Sequence, residues 1–267
     1  MQVRPICAAL GAELLDFDMS SEIEPDAAAA LRRALAEHHL LVVRGHTVTS
    51  ADQRRFASVF GDIVIRADYD KAPDEEADTQ HVSNRRADGI LGDGELDFHC
   101  DQLFQTPPLK ALALYAIEVP AQGGDTKFSN TARAFARMPE ALKARMAKLS
   151  CMHLYDFKAD FTKPQDPETA TPGSPCAVHP MLWTDPDSGA RGVWVNKNTT
   201  IRVMEMDGPD GRALIEEIRS YFYDDDVIYT HQWRADDLVI WNNRVLQHAR
   251  TYFDPRLPRT LRRTPLL

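Results

Sequence analysis

The stretch LDFHCDQLF, residues 96–104, sets His99 and Asp101 two positions apart in an apolar frame. On a strand, side chains two apart leave the same face, so one strand end could offer an imidazole and a carboxylate to a single ion. Two imidazoles and one carboxylate on one face, with three positions left open, are what a mononuclear iron(II) centre for oxygen chemistry requires. The pair alone is a weak signal: with nine histidines and 27 aspartates among 267 residues, about one such pair arises by chance. A third ligand must come from elsewhere. His248, in LVIWNNRVLQHAR, follows an apolar strand that a jelly roll can carry across to the first pair. Taken singly, it reads as an ordinary hydrogen-bonded histidine near a strand end. Cys100, between the paired residues, points to the opposite face of such a strand and reads as a buried structural thiol.

Five arginines crowd the last strand: Arg250, then Arg256, Arg259, Arg262 and Arg263 in FDPRLPRTLRRTPLL. A guanidinium fork matches the two oxygens of a carboxylate, although a basic, solvated tail is the plainer reading of such a run. Alternation in RTLRR places Arg259, Leu261 and Arg263 on one face, and Thr260 with Arg262 on the other.

These residues need elements to hold them. DAAAALRRALAEHH (26–39) predicts a helix capped by Asp26, and LLVVRG (40–45) a buried strand ended by Gly45. SADQRRFASVFG (50–61) predicts a second helix, with Ser50 and Gln53 at capping-box spacing and Gly61 as a left-handed exit. Residues 66–95 are polar, aperiodic and too long for an ordinary connection, as befits a lid. Strands are expected at 110–119 and 125–130, then a helical run after residue 130 in which Pro139 begins the second half. A second irregular insert, 156–178, precedes GVWVN (192–196), a helix at 210–224 and strands at 226–233 and 236–243. Short strands in the second half, helices mainly in the first, and no strand–helix alternation argue for a β-sandwich or barrel with flanking helices. No composition shift marks a boundary, so residues 1–267 read as one domain with two inserts.

The bulk composition narrows the class. A chain 43% hydrophobic can bury a sizeable core, and a net charge of -9 argues against a nucleic-acid binder or a peripheral membrane protein. Four cysteines lie far apart, as free thiols do in a reducing compartment. No apolar run follows the basic residues near the N-terminus, and none approaches the roughly eighteen residues of a membrane span. A cytoplasmic protein is expected.

FHCDQLF, GGDTKFSN, GVWVN and VIWNNRVLQHA followed by RTLRR, with LGAELLDFDMS and HHLLVVRGH nearer the start, resemble the iron- and 2-oxoglutarate-dependent dioxygenases of the taurine dioxygenase and 2,4-dichlorophenoxyacetate dioxygenase family. The resemblance runs from about residue 5 to 264. It implies a double-stranded β-helix (a cupin-like jelly roll, mainly β with flanking helices) and the cofactors Fe(II), 2-oxoglutarate and O2. The family pattern makes His99, Asp101 and His248 the metal ligands and catalytic centre. It puts Thr126 and Arg259 on the distal carboxylate of 2-oxoglutarate, and Arg263 near the co-substrate or substrate. The implied reaction hydroxylates a C–H bond of a small anionic organic molecule, with release of succinate and CO2. Desaturation, ring closure and C–heteroatom cleavage use the same cofactors, and a catalytically silent jelly-roll metabolite binder is the reading from another class. Asp101 disfavours a halogenase, in which a small residue there would free a position for chloride. Family members often form dimers or tetramers, so a homo-oligomer is admitted.

The substrate side departs from the taurine pattern. A substrate-binding histidine is missing from ADYDK (67–71), and Glu95 stands where an asparagine is expected. Arg263, Phe104, Glu95 and Tyr69 are the candidate substrate contacts, and the two inserts the candidate lids. His38 and His39 end a helix, where a cationic ring suits the dipole; His81 falls in the first insert, and His179 and His231 read as structural.

Overall fold

The computed structural model describes residues 1–64, 80–156, 158, 166 and 168–267. Tyr69, the ADYDK stretch and much of the second insert lie outside the described residues. In chain order the strands are β1 (Gln2–Pro5), β2 (Ala12–Leu15), β3 (Leu40–Val43), β4 (Gln80–Ser83), β5 (Leu96–His99), β6 (Ala111–Glu118), β7 (Thr126–Asn130) and β8 (Ser150–Leu154). They continue with β9 (Cys176–Pro180), β10 (Leu182–Thr184), β11 (Arg191–Val193), β12 (Thr200–Val203), β13 (Ile228–His231), β14 (Leu238–Asn242), β15 (Leu246–Arg250) and β16 (Thr260–Leu266). The helices are α1 (Pro25–His38), α2 (Ser50–Ala57), α3 (Thr131–Arg137), α4 (Glu140–Met146) and α5 (Gly208–Arg219).

A large sheet of order β1-β2-β3-β14-β6-β16-β4 faces a smaller one of order β13-β7-β15-β5. Every pairing in the two is antiparallel except β2 with β3. Period-two alternation explains why the large sheet is apolar on both faces. Leu40, Val42, Leu112, Leu114, Val239, Trp241 and Leu261 point inward and pack on Phe128 and Leu246 of the small sheet. Leu41, Val43, Ala113, Leu238 and Ile240 point outward, under Leu31 and Leu35 of α1 and Phe56 of α2. A third cluster seats α3, α4 and α5 beside the three-stranded sheet β12-β8-β9. This is the expected two-sheet jelly roll with flanking helices. No helix of the described residues is long and apolar enough to cross a membrane.

Several local expectations shift. Glu24, not Asp26, precedes α1, and Pro25 occupies the first turn, where its missing N–H costs nothing. Thr49, not Ser50, caps α2: its hydroxyl accepts from the Asp52 N–H while the Asp52 carboxylate accepts from the Thr49 N–H. Gly61 is not a left-handed exit, since Ser58 ends the helix in right-handed geometry. Gly61 is required for another reason: a Cβ there would lie 2.3 Å from the Leu267 carbonyl oxygen. The aperiodic stretch 66–95 contains β4, which pairs with β16 at the edge of the large sheet. The second insert ends three residues early, since β9 begins at Cys176. Its stem is tied by Asp156, which accepts from the backbone N–H groups of Lys158 and Thr171.

Candidate metal centre

His248 sits on β15 directly opposite His99 on β5, and the two rings lie 4.3 Å apart, centroid to centroid. β5 ends at His99, so Asp101 stands just beyond the strand, but its carboxylate turns back toward the Nε2 atoms of both rings. Asp101 Oδ1 is 3.4 Å from His99 Nε2 and 3.8 Å from His248 Nε2. One ligand atom from each residue falls within 4.8 Å of the other two. Three donors on one face of an ion, each at about 2.1 Å, are separated by roughly 3 Å, so small side-chain adjustments would let these three share one ion. His99 Nδ1 lies 2.7 Å from the Asp97 carbonyl, a contact that places its proton on Nδ1 and leaves the Nε2 lone pair free. Burial, with His99 adding to it, pushes His248 down to about 3, so the ring is neutral, as a ligand must be. Burial opposes ionisation of Asp101, yet Arg263 and the two histidines hold its carboxyl well below the usual carboxylate range.

Arg263 grips Asp101 from behind. Its Nε donates to Asp101 Oδ2 at 3.2 Å, Nη2 donates to the same oxygen, and Nη1 donates to Gln80 Oε1 at 2.6 Å. The guanidinium assigned by resemblance to co-substrate or substrate is thus engaged with a ligand candidate and with β4. Arg259, on the same face as expected, is 2% exposed. Its Nε and Nη2 both donate to the Gly124 carbonyl at 3.1 and 3.0 Å. Among the described residues no carboxylate lies within ion-pair distance of it. Burial, reinforced by the nearby Arg250 charge and only partly offset by Asp125, pushes its guanidinium down to about 9. Gly124 permits the approach: its φ is +70°, and a Cβ would meet Arg259 Nε at 3.0 Å. Thr126 Oγ1 accepts from Trp233 Nε1 at 2.9 Å, which leaves the hydroxyl proton free to donate. Arg262, on the opposite face, reaches Gln53 and lies over the Tyr115 ring.

His99, Asp101, His248, Thr126, Arg259 and Arg263 all line one open cleft of about 460 Å³, completed by Arg250, Ala249 and the apolar side chains Val82, Leu91, Leu96, Leu114, Trp241 and Leu261. Two predicted substrate contacts are not among its described lining. Glu95 is exposed and accepts from the Tyr252 N–H. Phe104 stacks on Tyr155, because the left-handed turn at Gln102 leads the chain away from the cleft. Cys100 is buried with Leu103 and Trp194, as a structural thiol should be. His81, His179 and His231 also lie off the cleft lining; His179 Nε2 contacts the Gln105 carbonyl and His231 packs under Trp233.

Sequence reasoning missed three supports. Trp233 orients Thr126, Asn243 holds the Asp101 backbone, and Arg250 donates to the carbonyls of Leu91, Asp93 and Gly94, fixing the loop ahead of β5. The arginine cluster and the WNN motif were visible signals, but their partners are distant in the chain.

A jelly roll carrying two histidines and a carboxylate around an open position has the donor set of non-haem iron(II) oxygenases. The family described as "Taurine catabolism dioxygenase TauD, TfdA family" matches residues 2–264, and the chain belongs to it. Among similar proteins, the alpha-ketoglutarate-dependent 2,4-dichlorophenoxyacetate dioxygenase of Cupriavidus pinatubonensis is 25% identical over 98% of this chain and 96% of that one. The alpha-ketoglutarate-dependent sulfate ester dioxygenase of Pseudomonas putida is 26% identical over 100% and 89%. A taurine dioxygenase structure from Burkholderia xenovorans superposes with a TM-score of 0.84 at 23% identity, covering 99% of this chain and 88% of that one. The structure of AAD-2 with Mn(II) and N-oxalylglycine gives 0.84 at 23%, covering 99% and 97%. The protein is therefore an alpha-ketoglutarate-dependent dioxygenase, of a family that uses Fe(II), 2-oxoglutarate and O2.

Proposed function

We propose that the protein oxidises, by hydroxylation, a C–H bond of a small anionic organic compound, with release of succinate and CO2. The observation that carries this reading is the convergence of His99, Asp101 and His248 in the same cleft as the unneutralised Arg259. In it, His99 Nε2, His248 Nε2 and one oxygen of Asp101 hold Fe(II), which when bound supplies the activation of dioxygen. The chain's own residues do the rest. Arg259 and the Thr126 hydroxyl receive the distal carboxylate of 2-oxoglutarate, and a buried guanidinium is stabilised by that charge. Arg263 keeps Asp101 ionised and aimed, which leaves its contact with substrate secondary to that task. Trp241, tilted 4.9 Å from His248, and Leu114 close the wall behind and keep water from it.

Val82, Leu91 and Leu96 form the apolar wall available to substrate. The parts of inserts 66–95 and 156–178 that lie outside β4 and β9 serve in this reading as lids of a single domain. Relatives are named for a phenoxyacetate and for sulfate esters, both anions, which supports an acidic substrate. The test is a panel of sulfonates, sulfate esters, phosphonates, aryloxy acids and amino-acid derivatives, scored by substrate-stimulated succinate release with Fe(II). Stimulation by neutral compounds alone would overturn the anionic reading. Absence of any 2-oxoglutarate turnover, coupled or uncoupled, would favour a silent binder.

A further inference from the structure

Asn243 holds the Asp101 backbone but takes no part in the reaction proposed above, and its side chain is committed mainly to that one proposed ligand. It lies 1% exposed in the turn between β14 and β15, five residues ahead of His248. Its Oδ1 accepts from the Asp101 backbone N–H at 2.9 Å. Its Nδ2 donates to the Asp101 carbonyl at 2.9 Å and to the Leu109 carbonyl at 3.1 Å. A primary amide offers two donor protons and one carbonyl oxygen. Here both kinds of group are used, and together they close on the N–H and C=O of a single residue.

Asp101 needs such a hold. It stands two residues past the end of β5, outside the ladder that fixes His99 against His248, and is followed by the left-handed Gln102 at φ 55°. Arg263 fixes the outer carboxylate oxygen but not the main chain from which the side chain projects. The turn itself is closed by its neighbour: Asn242 Oδ1 accepts from the Arg244 N–H, and the Asn242 carbonyl accepts from the Val245 N–H. Asn243 is thus left free to reach across. We infer that Asn243 is a positioning residue for the metal, setting the distance between the Asp101 and His248 donors by tying both to one hairpin. This rests on the reading of His99, Asp101 and His248 as the metal site.

The probe is Mn(II), titrated into metal-free protein and read by the electron paramagnetic resonance of the free ion, well below each variant's Tm. Two neutral substitutions avoid any change of charge near the ion. Asn243→Leu removes all three bonds, and the Mn(II) Kd rises about 10- to 100-fold, as when the supports behind metal ligands are lost. Asn243→Ser, which loses both Nδ2 donations, shifts Kd the same way and decides the matter if the leucine variant does not fold. Arg244→Met, which removes the adjacent bond from Arg244 Nη2 to the Pro108 carbonyl, leaves Kd within twofold. Folded Asn243 variants that bind Mn(II) within twofold of the parent overturn the inference. So does an Arg244→Met variant weakened to the same degree, because any damage to the turn would then suffice. A parent protein that binds no Mn(II) overturns the metal reading itself, a separate outcome.

Discussion

Replacing Arg259 by methionine keeps a side chain of similar reach in the cleft but removes the guanidinium. Arg259 is already 2% exposed, and among the described residues its guanidinium hydrogen-bonds only the Gly124 carbonyl and lies over the Phe253 ring. Its desolvation is therefore met on folding, and a carboxylate that docks against it gains the contact without that cost. A charge-assisted contact of this kind is worth roughly 1.5–3 kcal/mol. At about 1.4 kcal/mol per tenfold, the Kd for 2-oxoglutarate should rise roughly 10- to 150-fold. The assay is anaerobic equilibrium titration of 2-oxoglutarate into the Fe(II)-loaded protein, followed by succinate formation at saturating 2-oxoglutarate. Because the contact is present in ground and transition states alike, kcat should change far less than KM. Arg259→Lys, which keeps a charge but not the fork, should fall between the two. A Kd within twofold of the parent would refute the assignment of Arg259 to the keto-acid carboxylate and redirect attention to Arg250 or Arg263.

Other perturbations follow from the same geometry. His99→Ala should abolish succinate formation while leaving circular dichroism and Tm close to the parent's, because His99 belongs to no core cluster. Asp101→Ala should abolish it too but lower Tm, because it strips the buried Arg263 guanidinium of its carboxylate; retained turnover would remove either as a ligand. Trp233→Phe keeps the ring beside His231 but loses the bond to Thr126. At about 1 kcal/mol for one hydrogen bond, it should raise the KM for 2-oxoglutarate severalfold, and an unchanged KM would show that Thr126 needs no such support. Ni(II), Co(II) and Zn(II) should inhibit in competition with Fe(II), since an open nitrogen–oxygen site binds later first-row metals more tightly. Indifference to excess Fe(II) would count against a shared site.

What could be read from the chain depended on how local the signal was. His99 and Asp101 announce themselves because period two places them together, and RTLRR declares its faces for the same reason. That alternation puts Arg259 and Arg263 in the cleft and Arg262 behind the sheet. His248 needed the resemblance, since nothing in LVIWNNRVLQHAR alone says which strand it will oppose. Strand β4 was hidden because four residues in a polar stretch carry little periodicity, and its pairing comes from β16, about 180 residues away. Asn243, Trp233 and Arg250 were illegible for a related reason: each acts through hydrogen bonds to residues more than 100 positions distant. The α2 cap slipped by one residue because Thr49 and Ser50 are both competent caps, and only the Thr49–Asp52 exchange of bonds separates them. Glu95 comes from the position of the family's asparagine and Phe104 from its apolar place beside the metal motif; neither is among the described residues that line the cleft, and Phe104 stacks on Tyr155.

The central claim is that His99, Asp101 and His248 share one ion. Crystals grown with Mn(II) and a 2-oxoglutarate analogue, with diffraction recorded at a wavelength where manganese scatters anomalously, address it directly. The account predicts a single strong anomalous peak in the cleft, about 2.0–2.2 Å from the Nε2 atoms of His99 and His248 and from one oxygen of Asp101. A peak bound elsewhere, or no peak between these three side chains in an otherwise ordered crystal, would contradict it.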